Sequence, residues 1–320
     1  MTIRYRLSTV DDQDTLVRFW SEQSGWDTVD AETWTQRLVK PPVGSARIVL
    51  GEDEEGKIVS QFAFVPSLVW LDGAEVPALR PFAPIVAPGV RSGLNPMQHP
   101  IVAMFNYGRQ AFRDLGDGVL YMLPDPRWRR LFRALPQFQT APFPLLSRPL
   151  PMEDGPLSLG GYTAGPLSGW SVRVDALWAA ARGWMGPQVV RDCRTLPWKV
   201  GQGDYRLTAV ERGNDLVGLV ASRHKGDRQW LVCDVLAADR PALRAALAAA
   251  VNEGHRAATA AEPGAINKVS VLGAPLVEES ALALGLTRER YTFHLVIERL
   301  DASIPKDLAA PERWTVSPND

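Results

Sequence analysis

The residues best suited to chemistry lie in one short run, IVAPGVRSGLNPMQHP, where an apolar strand enters a loop of Arg91, Ser92, Gly93, Leu94 and Asn95 ahead of a helix. A loop at the start of a helix offers backbone N–H groups with no helical partner, and the helix dipole favours negative charge there. Gly93 lets a ligand approach the backbone closely and Arg91 adds a cation, which is chemistry suited to an anion, although most Gly-containing strand-to-helix loops hold no ligand. Pro96 and Pro100 carry no N–H, and a helix opening at Pro100 starts several residues beyond Gly93.

The elements that must position this loop can be read on both sides of it. Residues 9–24, TVDDQDTLVRFWSEQS, place Leu16, Val17, Phe19 and Trp20 on one helical face with acidic residues in the first turn. A shorter helix is expected over AETWTQRLV, and ARIVLGEDEEGKIVSQFAFVPSLVWL reads as a hairpin with an acidic, Gly-containing turn. VPALRPFAPIVAP follows as a strand whose prolines confine part of it to an edge or to bulged pairing. Pro100 suits the first position of the helix IVAMFNYGRQAFRDLG, and Gly116 suits its C-cap. GVLYMLPDP reads as a strand, RWRRLFRAL as a helix bearing Arg127, Arg129, Arg130 and Arg133, and APFPLLSRPL as a closing strand.

The order then begins again. PMEDGPLSLGGYTAGPLSG is rich in Pro, Gly and Ser and marks a connection between domains. Beyond it come a helix in WSVRVDALWAAARGWMG, a hairpin turning at Gly213-Asn214, the strand QWLVCDVLA, an Ala-rich helix, the strand KVSVLG, the helix APLVEESALALG and the strand YTFHLVIERL. The expected fold class is α+β, with two tandem domains, each a mixed central sheet flanked by helices. Their bounds are 1–150, a linker at 151–168, 169–300, and an irregular tail at 301–320.

Composition removes several classes of function. With 320 residues, 46% hydrophobic and 22% charged, the chain is globular, and a net charge of -1 provides no field to recruit nucleic acid or an anionic membrane. No apolar run reaches the length of a membrane helix. Only Cys193 and Cys233 are present and the opening MTIRYRLSTVDDQD has no apolar signal region, so a cytoplasmic location is expected. His99, His224, His255 and His294 lie far apart with no second ligand at metal-binding spacing, so no metal is expected. Oligomeric state is not legible.

IVAPGVRSGLNP resembles motif A of the GCN5-related N-acetyltransferase (GNAT) superfamily, where a strand ending in a V-x-P-like run enters an Arg- and Gly-bearing loop before a helix. The chain as a whole resembles the tandem form of that family. The resemblance implies two GNAT-like domains. It also implies acyl transfer from acetyl-CoA or another acyl-CoA, as co-substrate, to a small amine such as an amino sugar, amino acid or other metabolite. Ile85 and Val86 would then present backbone N–H groups to the thioester oxygen, and Arg91, Ser92, Gly93, Leu94 and Asn95 would hold the pyrophosphate. The loop is shorter than the family spacing and its second glycine is replaced near Asn95-Pro96, so this motif A is degenerate.

The family carries a proton-donating tyrosine where this sequence has Phe132, which leaves Tyr121, on the preceding strand, as the candidate acid. VPALRPFAPIV holds no carboxylate, which leaves Glu75 upstream and Asp125, at a place where the family commonly has Asn, as candidate bases. A strand tyrosine more often packs with its hydroxyl bonded, and an Asp before a proline more often caps a turn. The second domain has Ala281 at the tyrosine's place and no Gly-rich loop before RPALRAALAAA, so it is not expected to bind coenzyme A.

VVRDCRTLPWKVGQGDYRLTAV is similar to a segment of tandem GNAT-like proteins found with surface polysaccharide and secondary metabolite pathways; there Arg191 and Asp192 are expected to pair, with Trp198 and Tyr205 as aromatic surface. Two other functions fit the same elements: a catalytically degenerate GNAT-fold protein that binds a ligand or partner, and an aminoacyl-tRNA-dependent transferase. Near-neutral charge and the absence of a long coiled-coil insertion count against the second.

Overall fold

The computed structural model describes residues 2–25, 28–90, 98–125, 138–226 and 228–320. The chain divides into two compact units: Met1–Val69, Glu75–Gln139 and Val296–Ala309 form the first, and Trp70–Ala74, Thr140–Leu295 and Ala310–Asp320 the second.

The elements begin with β1 (Arg4–Leu7), α1 (Gln13–Gln23), α2 (Ala31–Trp34), β2 (Arg47–Glu52), β3 (Ile58–Leu71), β4 (Ala74–Val86), α3 (Pro100–Asp114) and β5 (Val119–Met122). They continue through β6 (Gln139–Pro149), β7 (Thr163–Pro166), α4 (Val172–Ala181), β8 (Gln188–Val189), α5 (Thr195–Val200), β9 (Arg206–Arg212) and β10 (Asp215–Lys225). β11 (Gln229–Ala237), α6 (Arg240–Ala260), β12 (Lys268–Leu272), α7 (Pro275–Ala283) and β13 (Thr287–Arg299) complete the chain. Among the described residues no helix is long and apolar enough to cross a membrane.

Strand order in the first unit is β1-β2-β3-β4-β5, and in the second β7-β9-β10-β11-β12. In each, the first strand pairs antiparallel with the one that follows two helices, and the fourth and fifth strands are parallel neighbours joined through a helix. The same topology twice in one chain is the duplication that the repeated element order predicted.

Local chemistry explains the junctions. The β2–β3 turn is closed by Asp53, whose Oδ1 accepts from the N–H groups of Glu55 (3.1 Å) and Lys57 (2.9 Å), while Gly56 takes a positive φ of 80°. α3 opens on Pro100 behind His99 and ends as expected at Gly116, φ 82°: Asp117 N–H donates to Phe112 O (3.1 Å) and Gly116 N–H to Arg113 O (3.0 Å). That double bond is a Schellman stop, which glycine accommodates because it has no Cβ. α3 then buries Ile101, Met104, Phe105 and Phe112 against Phe62 and Phe64 of β3, with Phe64 and Phe112 rings 4.7 Å apart. Each such side chain contributes about 2 kcal/mol by leaving water.

The closing strands are exchanged. β6 follows the elements of the first unit in sequence but pairs antiparallel with β12 of the second, while Val296–Arg299 of β13 pairs antiparallel with β5 of the first. The first compact unit therefore ends at Gln139 rather than after APFPLLSRPL, and it regains Val296–Ala309 from the far end of the chain. Two other segments differ from expectation. The Pro/Gly-rich stretch 151–168 contains β7, paired with β9 from Thr163↔Glu211 to Pro166↔Thr208. The tail has only one 3-10 turn, Pro311–Arg313, yet Trp314, Thr315, Val316, Ser317 and Asp320 are all buried.

Candidate active site

The site grows from a fork between two parallel strands. β4 and β5 pair at Ala78↔Val119 and Leu79↔Leu120, where the register ends although β4 runs on to Val86. Pro81 and Pro84 remove two N–H donors from the stretch just beyond that last pair, so the ladder has no means of continuing as it began. On its other side β4 stays anchored, because Ala87 N–H donates to Val59 O at 2.9 Å. Strand alternation then turns the N–H of Val86 away from β3 and towards the fork.

A bulge shapes this strand. Leu79 and Val86 both enter the core under α3, although seven residues of regular pleat would put them on opposite faces. Ala83 resolves the parity: it sits at φ 50°, in the left-handed region, and supplies the extra residue. The proline-rich sequence of β4 pointed to bulged pairing, and this is where it occurs. Phe82 packs on Trp20 of α1 (5.9 Å), with the Arg80 guanidinium over its ring at 5.5 Å.

α3 begins beyond the fork, and its first donors are already engaged. His99 Nδ1 accepts from Ile101 N–H (3.3 Å), His99 O accepts from Val102 (2.9 Å) and Ala103 (3.3 Å), and Pro100 has no N–H. The helix terminus therefore presents few spare donors to an anion. The candidate residues of the preceding loop, Arg91, Ser92, Gly93, Leu94 and Asn95, lie outside the described residues, as do Phe132 and the four arginines of RWRRLFRAL.

The candidate proton-transfer groups lie on and after β5. Tyr121 is the first residue of β5 past its last pair with β4, and it is 2% exposed. Leu120 and Met122 face α3, so the Tyr121 side chain points to the opposite face, alongside its register partner Ile297. Asp125 is exposed, three residues beyond the end of β5, and Glu75 is exposed at the far end of β4. Ile85 is buried next to Val86, on the face away from α3.

One buried carboxylate at this level was not anticipated. Glu298 of β13 stands opposite Leu120 and accepts from Arg109 Nε (2.5 Å) and Arg113 Nη2 (3.3 Å) of α3, while its Oε2 has no hydrogen-bond partner among the described residues. Burial raises its pKa, and the two guanidiniums only partly oppose that. Glu298 thus fastens α3 to the strand beside the fork. The signal was a carboxylate following the apolar run Leu295–Ile297 of β13.

The corresponding place in the second unit is built differently. β11 and β12 pair in parallel from Gln229↔Lys268 to Val232↔Val271, and a bulge at Cys233 mirrors the one at Ala83. At the start of α6, however, Asp239 accepts from Ala242 N–H (2.7 Å), which sets a fixed negative charge where an anion would bind. The expected pairing of Arg191 with Asp192 does not form: Arg191 Nε donates to Asp234 (2.6 Å), while Asp192 Oδ1 caps the turn at Thr195 N–H (2.8 Å). Tyr205 donates to Asn319 Oδ1 (2.9 Å) and carries the Arg223 guanidinium at 5.0 Å, so it is engaged in packing. Among the described residues no His, Cys, Asp or Glu cluster could hold a metal.

No protein-family model matches the sequence, and no curated protein matches it. Solved structures do. A GCN5-related N-acetyltransferase from Anabaena variabilis superposes with a TM-score of 0.68 at 13% identity, over 94% of this chain and 73% of that one. A conserved protein from Enterococcus faecalis, described as a probable N-acyltransferase, gives 0.67 at 12% identity over the same shares, 94% and 73%. A tandem GNAT protein from the clavulanic acid biosynthesis pathway gives 0.58 at 15% identity, over 95% of this chain and all (100%) of that one. With its parallel fork, its bulged fourth strand and its repeated topology, the chain has the fold of the GCN5-related N-acetyltransferases in its tandem form.

Proposed function

We propose that the chain transfers an acyl group from a coenzyme A thioester to the amine of a small molecule, with the first unit holding the thioester. The supporting observation is the fork beyond Leu79↔Leu120, held open by the bulge at Ala83, with Val86 N–H turned into it. An acyl-CoA supplies an activated acyl carbon that an amine can attack directly. Val86 N–H would donate to the carbonyl oxygen as it gains negative charge, a fixed donor already oriented before reaction. Arg91 and the backbone around Gly93 would hold the pyrophosphate, since the start of α3 has its donors engaged.

Asp125, exposed beyond β5, would take the proton that the amine loses, and Tyr121 would return one to the leaving thiolate. The Asp239 cap supports a second unit that takes no coenzyme A. Cys193 and Cys233 are both free thiols, in keeping with a cytoplasmic setting. The experiment is a thiol-release assay with acetyl- and longer acyl-CoA against amino sugars, amino acids and other amines. Amine-dependent release is expected, and no release with any pair would reject the transferase reading. The burial of Tyr121 favours one alternative, a catalytically degenerate GNAT-fold protein that binds a ligand or partner.

A further inference from the structure

Among the described residues, a buried cluster of four charged side chains lies in the second unit. Arg191 precedes α5, Lys199 lies on it, Asp234 lies on β11, and Asp320 comes from the segment after the Pro311–Arg313 turn. Their side chains are 0%, 5%, 4% and 0% exposed. Asp234 Oδ1 accepts from Arg191 Nε at 2.6 Å, and its Oδ2 from Lys199 Nζ at 2.8 Å. Asp320 Oδ2 accepts from Arg191 Nη2 at 2.6 Å and from Ser317 N–H at 2.8 Å, and its Oδ1 from Lys199 Nζ at 2.6 Å. Two cations and two carboxylates thus close a ring. The remaining guanidinium donor, Nη1, reaches Val189 O (2.8 Å) and Gln188 Oε1 (3.3 Å), and Ser317 Oγ bonds both Arg191 Nη2 and Asp234 Oδ1 at 3.2 Å.

Without Asp320 this ring is one anion short. Arg191, Lys199 and Asp234 sum to a single positive charge with no exposure to water, a state that costs several kcal/mol. The three donors that Asp320 meets all aim at one carboxylate-sized position, and Arg191 and Lys199 also bond Asp234, on β11. We propose that Arg191, Lys199 and the Ser317 N–H form a carboxylate-binding site, which Asp320 occupies from within the chain and which a small free carboxylate takes when that side chain is removed. The consequence for the fold is that residues 314–320 are latched by charge as well as by the buried Trp314.

The test is chemical rescue of Asp320→Ala, followed by thermal unfolding in sodium acetate and in sodium chloride of equal ionic strength. The variant is expected to melt several degrees below wild type in chloride, and acetate should restore much of that loss in a saturable way. Wild type should gain no more from acetate than from chloride, and Asp320→Ala combined with Lys199→Met should not be rescued. Asp320→Asn, whose amide fills the same volume, should be destabilised and unresponsive to acetate. Equal effects of acetate and chloride on Asp320→Ala, or a wild-type melting temperature for it, would overturn the proposal. Should Asp320→Ala not fold in chloride, its refolding in acetate alone is the supporting result, and failure to refold in either salt the contradicting one.

Discussion

Leu79 and Val86, an odd number of residues apart on one strand, face the same side of their sheet because Ala83 between them sits at φ 50°. A non-glycine residue at positive φ costs roughly 1–2 kcal/mol, and a β-branched one more. Ala83→Val is therefore expected to destabilise the chain by about 2 kcal/mol and to weaken coenzyme A binding, because it disturbs the strand that carries Val86. Ala83→Gly, which is at ease in this conformation, should stay within about 1 kcal/mol of wild type and keep binding. Urea unfolding with and without acetyl-CoA reads both; a well-tolerated Ala83→Val would contradict a bulge held at Ala83.

Tyr121→Phe separates chemistry from packing. As a proton donor to the thiolate, Tyr121 should cost roughly a hundredfold in kcat when changed to Phe, with KM for acyl-CoA little altered. As a packed residue alone, the same change should cost about 1 kcal/mol of stability and leave kcat in place. Steady-state kinetics set beside a denaturation curve decide between them.

Asp234 gives stability a particular pH dependence. Desolvation pushes its pKa up, but Arg191 and Lys199 outweigh that and hold it down at about 2, below the ordinary 3.8. A depressed carboxyl pKa contributes stability that is present above the ordinary value and lost as pH falls through the folded value. This contribution, roughly 2 kcal/mol, should thus disappear between about pH 4 and pH 2. Asp234→Asn should be about 3 kcal/mol less stable than wild type at pH 6, with the gap narrowing towards pH 2. A gap independent of pH would contradict the assignment.

Glu298 has the opposite sign. Its pKa is raised by burial, only partly opposed by Arg109 and Arg113, so its contribution is largest below the ordinary carboxyl value of 4.5 and falls as pH rises through the folded value. Glu298→Gln should compare more favourably with wild type at pH 7 than at pH 4. Urea denaturation at the two pH values checks this, and the reverse order would contradict it.

Much of this architecture was legible where local chemistry decides it. The apolar run QWLVCDVLA is β11 from end to end, Gly213 turns the β9–β10 hairpin at φ 63°, and Pro100 and Gly116 bracket α3. Pairing across long separations was not. The partners of β6 and β13 are chosen by the sheet that each completes, and nothing within either strand names that partner. β7 is a strand because β9 offers it an edge, although its own residues, Thr-Ala-Gly-Pro, favour a turn. Arg191 meets a carboxylate 43 residues away in preference to its neighbour because Asp192 is needed to cap the next turn. Asp234 carries one recognisable feature, a lone carboxylate inside the apolar strand QWLVCDVLA, which burial turns into an obligation to find cations.

Acyl-CoA binding tests the central claim most directly, by isothermal titration of the whole chain with acetyl-CoA. One site per chain is expected, with thermal stabilisation of roughly 2.7 kcal/mol at a ligand concentration 100 times Kd. Arg91→Glu should abolish the heat while leaving the melting temperature of the free protein unchanged. No heat with acetyl-CoA, longer acyl-CoA or free coenzyme A would contradict an acyl-transfer role for the fork at Leu79 and Leu120, and two sites per chain would contradict a second unit closed by Asp239.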